Sequence, residues 1–324
     1  MKAIVCNGFA PVEQLEYRDV TDPAPAAGEL LVDVRAASVN YLDGLIVQGQ
    51  YQVRPATPFT PGAEVTGVVS GLGTGVTGFR AGERIMAATV LGGFAEKLTI
   101  PASSVMKLPD SISDEAAAGL IIGHGTALHA LKQRAQLRAG ETLAVSGAAG
   151  GTGLAAVQVG KVLGARVIAI CSSEEKLRAA KENGADVLID SSKDDLRSQL
   201  KAATDSRGVD VAYDTVGGEV FDALSRSMAW GGRLLVIGFA SGRIPQFPVN
   251  LALVKGFSVV GVFYGQFTQR QPADAAENAR ELLAWHEQGR IQVQIDSVLP
   301  LAEAVRGIQR LMSREAVGKV ILKP

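Results

Sequence analysis

The residues best suited to chemistry cluster around one glycine turn. Thr142-Leu143-Ala144-Val145-Ser146 is an uncharged run, and Gly147-Ala148-Ala149-Gly150-Gly151-Thr152-Gly153 follows it. Such a run reads as a strand buried on both faces. Ala155, Val159, Val162 and Leu163 then recur on one face of a helix, and Gly164 ends it. A strand, a glycine turn and a helix together make a pyrophosphate site, because glycine lets the backbone approach closely and the helix N-terminus offers free N–H groups to an anion. Gly150 and Gly153 stand at the second and third glycine places of G-x-G-x-x-G, with Gly151 and Thr152 between them; Ala148 takes the first place, so the strict fingerprint is not met. The context outweighs that gap. A second strand and helix follow at once, Arg166–Cys171 and Glu174–Asn183, as a dinucleotide fold requires.

Cofactor preference is written at the end of that second strand. A site for NAD usually places Asp or Glu there to accept from the ribose hydroxyls. Here the positions are Ser172 and Ser173, followed by Glu174, Glu175 and Lys176. The later strand ends, Val216-Gly217, Gly238-Phe239 and Phe263-Tyr264, fall at the carboxyl edge of a parallel sheet, where ligands lie in such folds. They are candidate walls of a nicotinamide pocket, and for the aromatics plain core packing is an equal alternative. Asp214, just before Val216, reads as structural.

The elements that must position these residues alternate strand and helix from about residue 114 to 264. The expected strands are Thr142–Ser146, Arg166–Cys171, Val187–Ile189, Val209–Asp214, Arg233–Ile237 and Phe257–Phe263, which predicts an α/β doubly wound parallel sheet. Residues 1–120 are β-rich, with an alternating strand at Leu30–Ala37 and glycine turns over 71–82, a pattern that suggests a small barrel. One or two helical turns are expected over Asn40–Gln48, helices at Ala273–Gln288 and Leu301–Met312, and a strand at Gly318–Leu322. Tyr264–Pro272 reads as a loop in which Arg270 offers a charge to an anionic substrate or to solvent.

Composition excludes several classes. The 324 residues suggest two domains, and 47% hydrophobic with 20% charged residues describes a well-cored globular chain. A net charge of −1 gives no electrostatic case for nucleic acid or an anionic membrane. Two cysteines, Cys6 and Cys171, are too few for a disulfide framework or a four-cysteine zinc lobe. With no apolar run long enough to span a bilayer, the expected location is the cytoplasm.

Ser38-Val39-Asn40, Pro61-Gly62-Ala63-Glu64-Val65-Thr66-Gly67, Gly147–Gly153, Tyr213-Asp214-Thr215-Val216-Gly217-Gly218 and Gly318-Lys319-Val320-Ile321-Leu322 together resemble the medium-chain dehydrogenase/reductases, in their zinc-free quinone oxidoreductase branch. The resemblance implies a Rossmann domain inserted in a GroES-like β-barrel catalytic domain, with boundaries at 1–122 and 265–324 for the barrel and 123–264 for the Rossmann domain. Zinc-dependent relatives carry a His-Glu pair where this chain has Ala63-Glu64, and a Cys where it has Asn40; none of His124, His129 and His286 falls in that loop. A catalytic zinc needs about three protein ligands, so no metal is expected.

The resemblance further implies NADPH, with Lys176 and Arg314 on its 2′-phosphate, Thr126 beside the nicotinamide carboxamide, and Asn40 near the nicotinamide ribose or the acceptor oxygen. Asn40 can donate to an oxyanion, or it can simply build an Asx turn. Tyr51 corresponds to a tyrosine at the proton-donating end of related enoyl-thioester reductases, and a half-buried wall residue is the plain alternative. One departure is Ser191, where the family often has a tyrosine. The expected activity is reduction of a quinone or another α,β-unsaturated carbonyl compound by hydride transfer. An enoyl-CoA reductase is the second reading, and a non-catalytic NADPH-binding sensor or structural protein is the alternative of another class. The expected partner is a small electrophilic acceptor, and a homodimer through the last Rossmann strand is implied.

Overall fold

The computed structural model describes residues 1–193 and 195–324. The chain divides into two compact units, Met1–Ile121 with Val293–Pro324, and Ile122–Gln292.

The first unit is built on a seven-stranded sheet. Along it run Ile295–Pro300, Lys319–Lys323, Glu29–Val39, Glu64–Leu72, Arg84–Ala88 and Val105–Lys107, and Lys97–Pro101 pairs with Glu29–Val39. Alternation organises the long strand as the sequence suggests. Leu30, Val32 and Val34 are buried, whereas Leu31, Asp33 and Arg35 are not. From Ala36 to Val39 every residue is buried, because Lys319–Lys323 covers that end with Val320 opposite Val39 and Ile321 opposite Ser38. The strand Ile295–Pro300 is not legible as one, since a single apolar pair, Val298-Leu299, stands beside Asp296, Ser297 and Pro300. It forms by parallel pairing with Lys319–Lys323, a tertiary contact.

The second unit is a six-stranded, all-parallel sheet in the order Val187–Asp190, Arg166–Cys171, Thr142–Ser146, Val209–Asp214, Met228–Val236, Ser258–Gly261. The order reverses between Thr142–Ser146 and Val209–Asp214, which is the switch point where ligands bind in open α/β sheets. The helix Gly151–Val162 ends at Leu163, and Gly164 follows at φ +86°.

Two expectations change. The inserted unit runs on to Gln292 rather than stopping at 264. Its last helix, Pro272–Glu287, is held to the unit's first helical segment by a Lys132–Glu281 ion pair at 2.6 Å and a reciprocal Gln133–Asn278 amide pair at 2.9 and 3.2 Å. Tyr264–Arg270 is a helix, not a loop. Phe267 anchors it by stacking on His129 at 3.8 Å between ring centroids, and burial lowers the pKa of that histidine. Arg270 is exposed and donates to Gln266 one turn back, at 3.2 Å.

Candidate functional site

The glycine turn has the form an anion requires. Gly150 caps the helix in an extended conformation, so Gly151, Thr152 and Gly153 occupy the first turn, whose N–H groups have no intrahelical acceptor. Gly147 has φ +62°, and a Cβ there would lie 2.5 Å from the Thr215 hydroxyl. A Cβ on Gly153 would run into the Gly147 carbonyl. Gly150 differs, since its nearest neighbour would be the Gly147 oxygen at 3.6 Å. That glycine is not demanded by the protein's own packing. It leaves a cradle that a side chain would fill, and a dinucleotide pyrophosphate fits it.

Around the turn, Ser173 caps the helix Glu174–Glu182 and accepts from the Lys176 amide at 3.4 Å, while Ser172 is exposed. Glu174 is engaged by Lys193 at 3.3 Å. Lys176 is half-buried on the first turn. After the fourth strand, Gly217 and Gly218 take φ +69° and +57°, and a Cβ on Gly217 would lie 3.0 Å from the Phe239 ring. Val216-Gly217 and Gly238-Phe239 are thereby brought together, with Ser241 N donating to Val216 O at 2.9 Å. Phe263 is exposed, and the Tyr264 hydroxyl packs against Gly125, next to the buried Thr126.

Asn40, Tyr51 and Arg314 belong to the first unit. Arg314 is exposed just beyond the helix Ala304–Met312, at φ +62°. Tyr51 is half-buried against the barrel core, and its hydroxyl pKa is raised by burial and further by the Asp43 carboxylate. Asn40 is buried and starts the helix Tyr41–Val47 in a capping box, its backbone N–H donating to Asp43 at 2.7 Å.

Around the Asn40 side chain lies a network that the sequence did not reveal. Lys319 Nζ donates to Asn40 Oδ1 at 2.7 Å and to Glu64 Oε2 at 3.1 Å. Ser38 Oγ donates to the same glutamate oxygen at 2.6 Å. Asn40 Nδ2 faces Ser38 Oγ at 3.1 Å, with Ser38 O and Glu64 Oε2 at 3.3 Å. Lysine can only donate, which fixes the orientation of the amide. Asn40 is therefore held firmly by its oxygen, through a charge-assisted bond, and loosely by its NH2. Beside it, burial pushes the Asp43 carboxyl up to about 7; Glu64 adds to the shift, while the Asn40 and Gly62 amides and Lys319 oppose it. The available signal was an acid and a base, Glu64 and Lys319, each set in an apolar strand.

This donor set does not suit zinc. The backbone position before Glu64 carries an alanine, and the two oxygen donors, Asn40 and Glu64, already hold an ammonium group. Among the described residues no three His, Cys, Asp or Glu side chains group as a metal site.

Known proteins agree with this architecture. Residues 26–110 match the family described as alcohol dehydrogenase GroES-like domain, and residues 151–284 the family described as zinc-binding dehydrogenase. The chain is 35% identical to rat quinone oxidoreductase-like protein 2 over 322 residues, covering 99% of this chain and 91% of the relative. It is 33% identical to the quinone oxidoreductase of Pseudomonas aeruginosa over 328 residues, covering 100% and 99%. A mycobacterial protein solved in complex with NADPH superposes with a TM-score of 0.94 at 34% identity, covering the whole of both chains. GroES-like and Rossmann units in this arrangement define a medium-chain dehydrogenase/reductase, an oxidoreductase. Within that class the chain belongs to the quinone oxidoreductase family.

Proposed function

We propose that this chain is an NADPH-dependent, metal-independent reductase of quinones or other α,β-unsaturated carbonyl compounds. The observation that carries the reading is the Lys319–Asn40 bond. In the family's zinc-dependent members a metal polarises the substrate oxygen; here a buried ammonium organises and polarises an amide. Its 3.1–3.3 Å NH2 contacts are the long end of the network and can exchange for an acceptor oxygen. NADPH, when bound, supplies the hydride. Gly150–Gly153 hold its pyrophosphate, Ser172, Ser173 and Lys176 receive the adenosine end with Arg314 as a second cation, and Thr126, Val216, Gly217, Gly238, Phe239, Phe263 and Tyr264 surround the nicotinamide. Asn40 stabilises the oxyanion that forms on the acceptor, and Tyr51 delivers the proton. A half-buried phenol with a raised pKa stays protonated at neutral pH, as a donor must.

The enzyme works in the cytoplasm as a homodimer. Two free cysteines suit a reducing compartment. Among the described residues the edge strand Ser258–Gly261 has no neighbouring strand on one side, and Trp230, Leu253 and Val254 on the neighbouring segments are 83%, 82% and 73% exposed, an apolar surface that a second copy would cover.

The test is oxidation of NADPH, followed optically, with a simple quinone and a short enoyl-CoA in parallel and NADH as control. Faster turnover of the enoyl-CoA selects the second reading. Binding of NADPH without turnover selects a sensor. Lys176→Ala lowers the preference for NADPH over NADH by about tenfold, the worth of one charged hydrogen bond; an unchanged preference removes Lys176 from the phosphate site.

A further inference from the structure

The switch point of the second unit carries a carboxylate that, among the described residues, has no cation beside it. Asp214, at the end of its strand, is 1% exposed. Ser146, at the end of the neighbouring strand and wholly buried, donates Oγ to Asp214 Oδ1 at 2.5 Å. The same carboxylate accepts from the backbone N–H of Val216 at 3.0 Å and of Gly217 at 3.2 Å. Thr215 completes the link in both directions: its N–H donates to Ser146 Oγ at 3.1 Å, and its hydroxyl to Ser146 O at 2.9 Å. Among the described residues Asp214 enters no ion pair.

Burying a carboxylate on neutral donors alone is costly, and burial indeed raises its pKa. For sheet stability an apolar residue would serve as well. What the carboxylate does that an apolar residue cannot is tie down two loops at once. Gly147 directly follows Ser146 and opens the phosphate turn, with the Thr215 hydroxyl packed beside it. On the other side, Val216 and Gly217 form the turn that enters the helix Gly218–Ser227, with Gly217 and Gly218 both at positive φ.

We infer that Ser146, Asp214 and Thr215 form a clamp that sets the spacing between the phosphate turn and the Val216–Gly217 loop, and so fixes how tightly the nicotinamide half of the dinucleotide is held. They are positioning residues; the inference rests on the dinucleotide reading above and adds residues that do not themselves touch the ligand.

The test compares two ligands on one protein: NADPH, and adenosine 2′,5′-bisphosphate, which carries the adenosine half alone. Ser146→Ala removes the hydroxyl that joins both strand ends. Its NADPH dissociation constant is expected to rise about tenfold, the effect of losing one buried hydrogen-bond partner. Its affinity for the bisphosphate is expected to change less than about twofold on the same reasoning. Equal losses for both ligands, or no loss for either, overturn the clamp, since a merely structural residue moves the two together. Should Ser146→Ala not accumulate as folded protein, the near-isosteric Thr215→Val carries the same comparison, with the same ratio shift expected. Wild-type titrations with NADPH and NADH separate the two claims. A wild type that prefers NADH overturns the cofactor assignment, and the clamp is then judged by NADH against adenosine monophosphate. A wild type that binds neither dinucleotide overturns both.

Discussion

The two units bury polar groups by opposite means. The barrel-like unit pairs full charges: Lys319 and Glu64 are 4% and 0% exposed, and Ser38, Asn40 and Asp43 pack around them. At its switch point the Rossmann unit gathers one hydroxyl and two backbone amides on a single carboxylate, Asp214, and its glycine turn begins a helix whose first N–H groups have no intrahelical acceptor. The barrel's polar atoms are thus largely spent on one another, which makes its geometry rigid and its breakage expensive. A fixed pre-charged network and an open backbone cradle are two routes to preorganisation, and they fail differently when perturbed.

The largest break in that contrast is Lys319→Met, which strands the buried Glu64 carboxylate. Removing one partner of a buried ion pair costs about 3–5 kcal/mol. Calorimetry is expected to show the barrel's transition lowered or lost, and Glu64→Gln in the same chain to restore much of it. An unchanged transition means the pair is not what holds the site together.

Next come two glycine variants of opposite character. Gly153→Ala pushes a methyl group into the Gly147 carbonyl and is expected to lower the melting temperature as well as NADPH binding. Gly150→Ala meets nothing closer than 3.6 Å, so its melting temperature should match wild type while NADPH affinity falls, by about tenfold for a loss of ~1.4 kcal/mol. If Gly150→Ala binds NADPH normally, the cradle is not the phosphate site.

The pH dependence sharpens the comparison from the barrel side. The Asp43 carboxyl titrates near 7 in the fold and near 3.9 when unfolded. Between those values the folded chain holds a proton that the unfolded chain has released. Asp43 therefore makes stability fall as pH rises from about 4 to 7, by up to ~1.4 kcal/mol per pH unit, and contributes no slope above that window. Asp43→Asn is expected to flatten this part of the stability–pH curve. A slope identical to wild type would mean that the carboxyl titrates elsewhere.

The smallest effect is expected at Tyr213, wholly buried in the Rossmann sheet with a hydroxyl that has no hydrogen-bond partner among the described residues. Tyr213→Phe removes an unsatisfied group and should stabilise the unit by about 1 kcal/mol in chemical denaturation. Destabilisation would mean that the hydroxyl is paired after all.

The same contrast decides what could be read from the sequence. The glycine turn was legible because backbone conformation depends on glycine spacing, which is local: Gly150 caps the helix and Gly153 lies on its first turn, as the spacing predicts. The parallel sheet followed from strand and helix alternation for the same reason. The Lys319–Glu64–Asn40 network was not legible, because its members lie on three strands or loops brought together only by tertiary pairing. A charge beside an apolar run, as at Lys319 and Glu64, was the one local sign, and it does not say which charge pairs with which. The strand Ile295–Pro300 and the helix Tyr264–Arg270 escaped likewise, one made by its neighbour and the other by Phe267 finding His129. Strand and helix alternation stops near 264, whereas the compact unit runs to 292, because the contacts that extend it are side-chain pairs on helices.

Glu64 and Lys319 lie 255 residues apart. A ribosome adding ~5–20 residues per second needs roughly 13–50 s to travel that interval. Throughout that time Glu64 has been made and its cation has not. The Rossmann unit, one uninterrupted stretch, emerges complete in between and can fold while the barrel waits with its strand Glu29–Val39 uncovered at the edge that Lys319–Lys323 will occupy. Each new molecule thus passes through a stage in which the cofactor unit is finished and the barrel is an open sheet. In that stage the long strand presents unpaired backbone groups at the edge where residues 319–323 later add.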